Sequence, residues 1–313
     1  MNSNQTHTKK EIALHIQANY FCNNNCIFCM EPETLPDVDL DRNKIFKHLK
    51  RCKGKVSRVL FTTKEPTLNP QLAVYVKYAK SFGYEKIAVV SNGRKLSYLP
   101  YCLSLIKEGM NMFAISIHGH RARLHDSFTR TPGSFKQTSS GLRNLSDVKK
   151  IFPITLCTST VLTKLSYMYL EDIMRFLFKF NLDSIILNVV QPRGEKMKRH
   201  FSSLMPKYSV VAKKIKDLYN KTSFFHSDST EIKLMGIPAC VMGVQMKNLL
   251  GCTEFIKKAL PSGKTEDIKN IFSRDCNNLK MDDCKYCKFF SICEGVPKLY
   301  VDYFGCEEFK PVS

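Results

Sequence analysis

Three cysteines fall within one short stretch, Cys22-Asn23-Asn24-Asn25-Cys26-Ile27-Phe28-Cys29. Thiolates ligate soft metals, and iron–sulfur clusters are normally held by cysteine. A four-iron cubane takes four ligands, and this loop offers three. A cluster seated here would keep one iron open to a ligand from outside the protein. Two other chemistries use close cysteines. Zinc knuckles usually show paired C-x2-C units with further Cys or His at set spacings. Disulfide frameworks belong to secreted chains, whereas Met1 to Lys10 is polar, without the apolar run of an export signal.

A second polar run follows, Thr62-Thr63-Lys64-Glu65-Pro66-Thr67-Leu68-Asn69-Pro70. Together the cysteine spacing, Phe28 before the last cysteine, and Glu65-Pro66 resemble the signatures of the radical S-adenosylmethionine (SAM) enzymes. The resemblance implies that SAM chelates the open iron of a 4Fe–4S cluster held by Cys22, Cys26 and Cys29. An electron from the cluster then splits a carbon–sulfur bond and yields the 5′-deoxyadenosyl radical. It also implies that Glu65 and the backbone around it hold the SAM ammonium, which wants carbonyl and carboxylate acceptors. Thr63 and Lys64 stand where the family has two glycines, a departure because glycine lets backbone approach a ligand closely.

Further contacts come by the same resemblance. Ser91 and Asn92 match a polar turn of the family, and Ser116 the serine near the methionyl part of SAM. Arg130, in the run from His125 to Phe135, would meet the SAM carboxylate. Thr158, Ser159 and Thr160 supply hydroxyls at one strand end, of which Thr160 is assigned to the cofactor. Asn188 lies where adenine packs, and Phe28 borders the same site. His118, His120 and His125 cluster in sequence and are expected to be solvated loop residues.

Seven cysteines crowd the last 75 residues. Cys284-x2-Cys287-x5-Cys293, then Cys306, resembles the SPASM extension, whose cysteines hold auxiliary 4Fe–4S clusters. Cys240 and Cys252 resemble a pair found in that extension and in its shorter form, twitch. The first likeness implies an auxiliary cluster on Cys284, Cys287, Cys293 and Cys306. The second implies Cys240, Cys252, Cys284 and Cys287. Cys276 would serve a second, incompletely ligated cluster, since the full extension's further cysteine just after Cys293 is missing. A structural zinc site remains the alternative, since C-x2-C suits zinc too.

The elements that must position these residues are legible from periodicity. Strands are expected over 11–16, 56–62, 86–90, 112–117, 154–161 and 184–190. Helices are expected over 41–52, 70–82, 96–108, 135–150 and 167–180. Strands alternating with helices of this length mean βαβ units and a parallel sheet, with site residues at the C-terminal strand ends. Six units are too few for a full eight-stranded barrel; they fit the α/β fold that the resemblance implies, a partial (βα)6 TIM-like barrel with a smaller cysteine-rich C-terminal extension. The boundary is expected near Phe224: residues 1–223 form the barrel and 224–313 the auxiliary-cluster extension.

The 313 residues carry 48 Lys and Arg against 28 Asp and Glu, a formal charge of +20. Nine cations stand between Arg193 and Lys221, against Glu195 and Asp217. This favours an acidic partner. Thirteen cysteines without an export signal suit reduced, metal-binding thiols in the cytoplasm. There is no run of eighteen apolar residues, so no membrane partner is expected. By the resemblance, the reading is an enzyme that cleaves SAM reductively and abstracts a substrate hydrogen, on a ribosomally made peptide or protein first. A nucleoside, RNA or small metabolite is the alternative substrate. The electron would come from a donor such as flavodoxin or ferredoxin. An iron–sulfur electron carrier or metal-dependent binding module is the rival that is not an enzyme, and it would have no need of Glu65 and the polar strand ends.

Overall fold

The computed structural model describes residues 13–31, 42–56, 58–243, 277–291 and 293–312. Seven strands run parallel in sequence order: β1 (Ala13–Gln17), β2 (Arg58–Thr62), β3 (Lys86–Ser91), β4 (Met112–Ser116), β5 (Thr155–Leu162), β6 (Ser184–Val189) and β7 (Glu231–Met235). Parallel neighbours need a crossover connection, and helices supply it. These are α1 (Arg42–Cys52), α2 (Leu72–Ser81), α3 (Leu99–Glu108), α4 (Ala122–Thr129), α5 (Ser134–Val148) and α6 (Leu170–Leu177). Between β6 and β7 the chain makes α7 (Glu195–Arg199), α8 (Phe201–Leu204) and α9 (Tyr208–Lys221). Consecutive parallel order is the arrangement of an incomplete (βα) barrel.

The helices lie where their apolar stripes demand. In α6, Leu170, Ile173, Met174 and Leu177 are buried at helical spacing, and in α9 Tyr208, Val211, Ala212, Ile215 and Leu218 are. Each fully buried Leu or Ile contributes roughly 1.5–3 kcal/mol. The strands bury one face fully against these helices. Leu156, Thr158, Thr160 and Leu162 of β5 point that way, while Thr155, Cys157, Ser159 and Val161 line the half-buried inner face. Register carries this inner face across the sheet, pairing Ser116 with Ser159 and Val161 with Asn188.

Two features differ from the sequence expectation. The sheet has a seventh strand, and β7 lies beyond residue 224. Its five residues alternate exposed and buried, too short a pattern to stand out after a crossover of this length. A helix that the sequence did not suggest, α4, occupies the start of the run from His125 to Phe135. Its Asp126 caps the start of α5, accepting bonds from the backbone of Gly133 (2.8 Å) and Phe135 (2.7 Å) and from the Ser134 hydroxyl (2.7 Å).

After β7 come a short helix, α10 (Ala239–Met242), an antiparallel pair, β8 (Asn278–Leu279) with β9 (Val296–Pro297), and α11 (Lys298–Phe304). Tyr300 of α11 is fully buried and stacks on Tyr208 with centroids 4.2 Å apart. Its hydroxyl accepts from the Tyr208 backbone N–H (2.8 Å) and donates to Glu308. Glu308 also accepts from the Ser209 N–H at 2.8 Å. A carboxylate thus satisfies one of the free N–H groups at the start of α9 and complements its dipole. This contact docks the cysteine-rich tail onto the barrel.

Candidate functional site

The cysteine loop leaves β1 and is tied to several elements. Asn25 and Ile27 donate backbone N–H groups to Thr129 and Phe128 at the end of α4, both at 2.9 Å. The Glu65 N–H bonds the Phe21 carbonyl at 2.9 Å, and Asn19 bridges the Phe21 and Glu65 carbonyls. Phe28 is buried, edge-on to His118 at 4.9 Å and tilted against Phe128 at 5.8 Å. Gly194 closes the far side. Its φ is +75, and an added Cβ would stand 2.9 Å from the Met30 backbone and 3.1 Å from the Cys29 carbonyl oxygen. Only glycine lets α7 begin against this loop.

Cys22, Cys26 and Cys29 are free thiols on this loop. The Asn24 N–H bonds the Cys22 sulfur at 3.4 Å, and the Asn92 amide approaches it at 3.9 Å. Burial pushes the Cys26 thiol up to about 12, with the charges of Cys29 and Cys22 adding to the shift and Lys196 opposing it. Neighbouring thiolates repel one another, and a bound cation would relieve that repulsion. Among the described residues no three His, Cys, Asp or Glu side chains converge as ligands of a single metal ion do. The donor set fits a multi-iron cluster, whose separate irons each take one thiolate. Cys22, Cys26 and Cys29 are the residues that would hold it.

The turn after β2 carries the other half of the site. Thr63 and Lys64 have φ of +73 and +53, the left-handed region that favours glycine. The glycine-like backbone is therefore kept without glycine, at a cost of order 1–3 kcal/mol for each strained residue. Strain of this kind clusters at ligand-binding sites.

Glu65 is itself held by the ends of two strands. Its carboxylate is 1% exposed and bonded through both oxygens. One oxygen accepts from the Thr67 N–H (3.1 Å), the Thr67 hydroxyl (2.7 Å) and the Ser91 hydroxyl (2.7 Å). The other accepts from the Asn92 N–H at 2.7 Å. Burial pushes its pKa up, and these bonds pull it back. Glu65, Ser91 and Asn92 thus knit the ends of β2 and β3 together. Asn92 then reaches the cysteine loop, donating to the Asn23 side chain at 2.7 Å.

Ser116 and Asn188 lie on the inner face, and Asn188 donates to the Ser159 hydroxyl at 3.3 Å. Thr160 does not. It is fully buried on the helix side, and its hydroxyl donates to the Ile117 carbonyl at 2.7 Å. Side chains alternate along a strand, so an assignment off by one residue lands on the wrong face. Ser159 is the inward hydroxyl. Arg130 ends α4 with φ +50, exposed, its guanidinium 3.2 Å from the His200 ring.

His118 and His125 are not solvated, as the sequence suggested, but buried. The His118 backbone N–H donates to His125 Nδ1 at 3.1 Å, and the Val161 N–H to His118 Nδ1 at 3.3 Å. Burial drives the two pKa values down to about 3 and about 4, so both rings are neutral at pH 7. His120 is only partly buried.

In the tail, Cys240, Cys284, Cys287, Cys293 and Cys306 are free, whereas Cys252 and Cys276 lie outside the described residues. Backbone N–H groups point at two of these sulfurs, Val312 at Cys287 (3.4 Å) and Gly295 at Cys293 (3.3 Å). The Cys240 thiol is pushed up to about 11 by burial, then by Cys293, Cys284 and Cys287. Cys240 thus lies within electrostatic reach of the other three, while Cys306 is exposed.

Comparison with known proteins gives four matches. A probable GTP 3′,8-cyclase of Saccharolobus islandicus is 30% identical over 139 residues, 43% of this chain and 44% of that protein. The chain thus spans less than half the length of that relative. By fold, Streptococcus suis SuiB bound to S-adenosylmethionine aligns over 97% of this chain and 76% of its own, with TM-score 0.65 and 13% identity. The structure of anSMEcpe with bound AdoMet and Cp18Cys peptide aligns over 97% of this chain and 92% of its own, with TM-score 0.57 and 16% identity. The family model described as the radical SAM superfamily matches residues 16–177, more than half of the chain. With its three-cysteine loop packed against a strained turn at the open end of a parallel sheet, the chain belongs to the radical SAM superfamily.

Proposed function

We propose that this protein cleaves SAM reductively at a 4Fe–4S cluster on Cys22, Cys26 and Cys29 and uses the resulting radical to take hydrogen from a peptide substrate. The carrying observation is the left-handed backbone at Thr63 and Lys64, where the family has two glycines. A chain that endures such strain keeps a shape that a ligand uses. The bound cluster supplies the electron that splits the carbon–sulfur bond. This chain's residues bind and orient. The backbone around Thr63 and Lys64 would meet the SAM ammonium, and Ser116, Ser159 and Asn188 line the inner face beside it. Phe28 and His118 form an apolar wall under the loop.

A peptide is favoured because the fold likeness to SuiB and to anSMEcpe, the latter with its peptide bound, runs the length of the chain, tail included. Among macromolecules, an acidic peptide ranks above RNA: the basic α7–α9 region suits either, and no nucleic-acid-binding motif accompanies it. The second reading is a small nucleotide or metabolite, favoured by the 30% identity to the probable GTP 3′,8-cyclase. The tail thiols would hold an auxiliary 4Fe–4S cluster, and a flavodoxin or ferredoxin would supply electrons.

The test is formation of 5′-deoxyadenosine by the anaerobically reconstituted full chain with SAM and dithionite. Wild type should form it, and the variant with Cys22→Ala, Cys26→Ala and Cys29→Ala should not. Wild-type rates in the triple variant would sink the proposal. Mass change in an acidic peptide, against none in GTP, separates the two substrate readings.

A further inference from the structure

We propose that Lys196 and Arg94 grip the three asparagines between Cys22 and Cys26 and set two positive charges against the cluster site, so that a cluster bound there is easier to reduce. The inference rests on Cys22, Cys26 and Cys29 being the ligands. Each asparagine of the spacer is used. Asn23 offers its carbonyl to the Arg94 guanidinium and its side-chain oxygen to Asn92 at 2.7 Å. The Asn24 side-chain oxygen accepts from Arg94 at 2.9 Å. The Asn25 side-chain oxygen accepts from the Lys196 ammonium.

Both cations are placed from outside the loop. The Arg94 Nε donates to Gln137 at 2.6 Å, and its backbone N–H donates to the Asn92 side chain at 3.0 Å. Lys196 comes from α7, which starts at Gly194 against the Met30 and Cys29 backbone. Among the described residues the adjacent acid, Glu195, pairs with Lys198 at 3.2 Å instead.

Reduction brings one electron from an external one-electron donor and no proton. The cluster and its thiolates gain one unit of negative charge. Net charge and local electrostatics set iron–sulfur potentials. A fixed cation close by stabilises the reduced state, more so where the surroundings are partly dry. Asparagine suits the spacer because its amide oxygen accepts from a cation without bringing a negative charge that would cancel it.

The experiment is an EPR-monitored redox titration of the reconstituted full chain, following the signal that changes shape on adding SAM. Lys196→Met should leave about ten-fold less reduced cluster at a fixed potential, a midpoint drop of about 59 mV for one electron. Arg94→Gln should move it the same way. Lys196→Arg should restore the wild-type curve, and Lys107→Met, exposed on α3, should not move it. Wild-type titration curves in both Lys196→Met and Arg94→Gln would overturn the proposal. If Lys196→Met fails to load iron while Lys196→Arg loads fully, the gripping role is supported; equal loss in both overturns it. A wild type with no SAM-sensitive signal would instead refute the ligand assignment beneath it.

Discussion

Replacing Glu65 by Gln should destabilise the protein even with no cofactor present. In the structure one carboxylate oxygen takes three donors and the other takes the Asn92 N–H. Gln can keep the first oxygen, which serves more partners. Its NH2 group then faces the Asn92 N–H across a contact that was 2.7 Å. Two donors meet there, in a site 1% exposed. One unsatisfied buried donor costs about 1–3 kcal/mol. Glu65→Ala strands the Thr67 and Asn92 N–H groups together, at about 1–3 kcal/mol for each unsatisfied donor, and leaves a hole besides. In a chain of this size roughly 2–4 °C of Tm follows each kcal/mol. Thermal unfolding of the metal-free protein, read by circular dichroism, should therefore rank wild type above Glu65→Gln above Glu65→Ala. The exposed Glu85→Gln should match wild type. If Glu65→Gln melts with wild type, the carboxylate does not hold the strand ends together and the network argument is wrong.

Three further outcomes follow from the geometry. Ser159→Ala should weaken SAM or substrate binding with little loss of stability. Thr160→Ala should do the reverse, costing about 1–3 kcal/mol by stranding the Ile117 carbonyl, and isothermal titration with thermal melts separates the two. His118 and His125 have folded pKa values depressed to about 3 and about 4, so the stability of their neutral forms is intact above about pH 6.5 and lost as pH falls through that window. Each contributes a slope of roughly 1.4 kcal/mol per pH unit, and His125→Asn should remove about half of it in urea titrations from pH 7 to 4; an unchanged slope would refute the assignment. Glu308→Ala should free Tyr300 and the Ser209 N–H, costing about 1.5–3 kcal/mol locally, and limited proteolysis should then cut faster within residues 277–312; equal cutting rates would show that the tail is held elsewhere.

The first six strands and the main helices were readable because their apolar residues repeat at clear periods. Short or interrupted elements were not. The five residues of β7 gave too little pattern, and α4 was hidden in a polar run whose Asp126 reaches forward to cap α5 at Phe135. The cysteine loop and Glu65 stood out by spacing. What spacing cannot give is direction. Glu65 turns inward to Ser91 and Asn92, and Thr160 falls on the helix side, because both depend on strand register across the sheet. The histidines misled for the same reason, since a loop next to a strand end can be buried by its neighbours. Lys196 counted only as one of the nine cations of its segment, and Arg94 drew no notice, because nothing in sequence links them to residues 23–25. The run of three asparagines was the one available clue.

The span of those links bears on when the site takes shape. Lys196 bonds a residue 171 positions earlier, and Arg94 one 70 positions earlier. Long-range pairings form late in folding because loop closure must precede them. The first thirty residues of the chain thus hold the thiols but not the means to fix them. On a ribosome, which delivers the chain from its N-terminus, the loop must wait for β3, then α4, then α7. Metal delivered before residue 196 has emerged would meet three loose cysteines; metal delivered after it would meet a formed receptor.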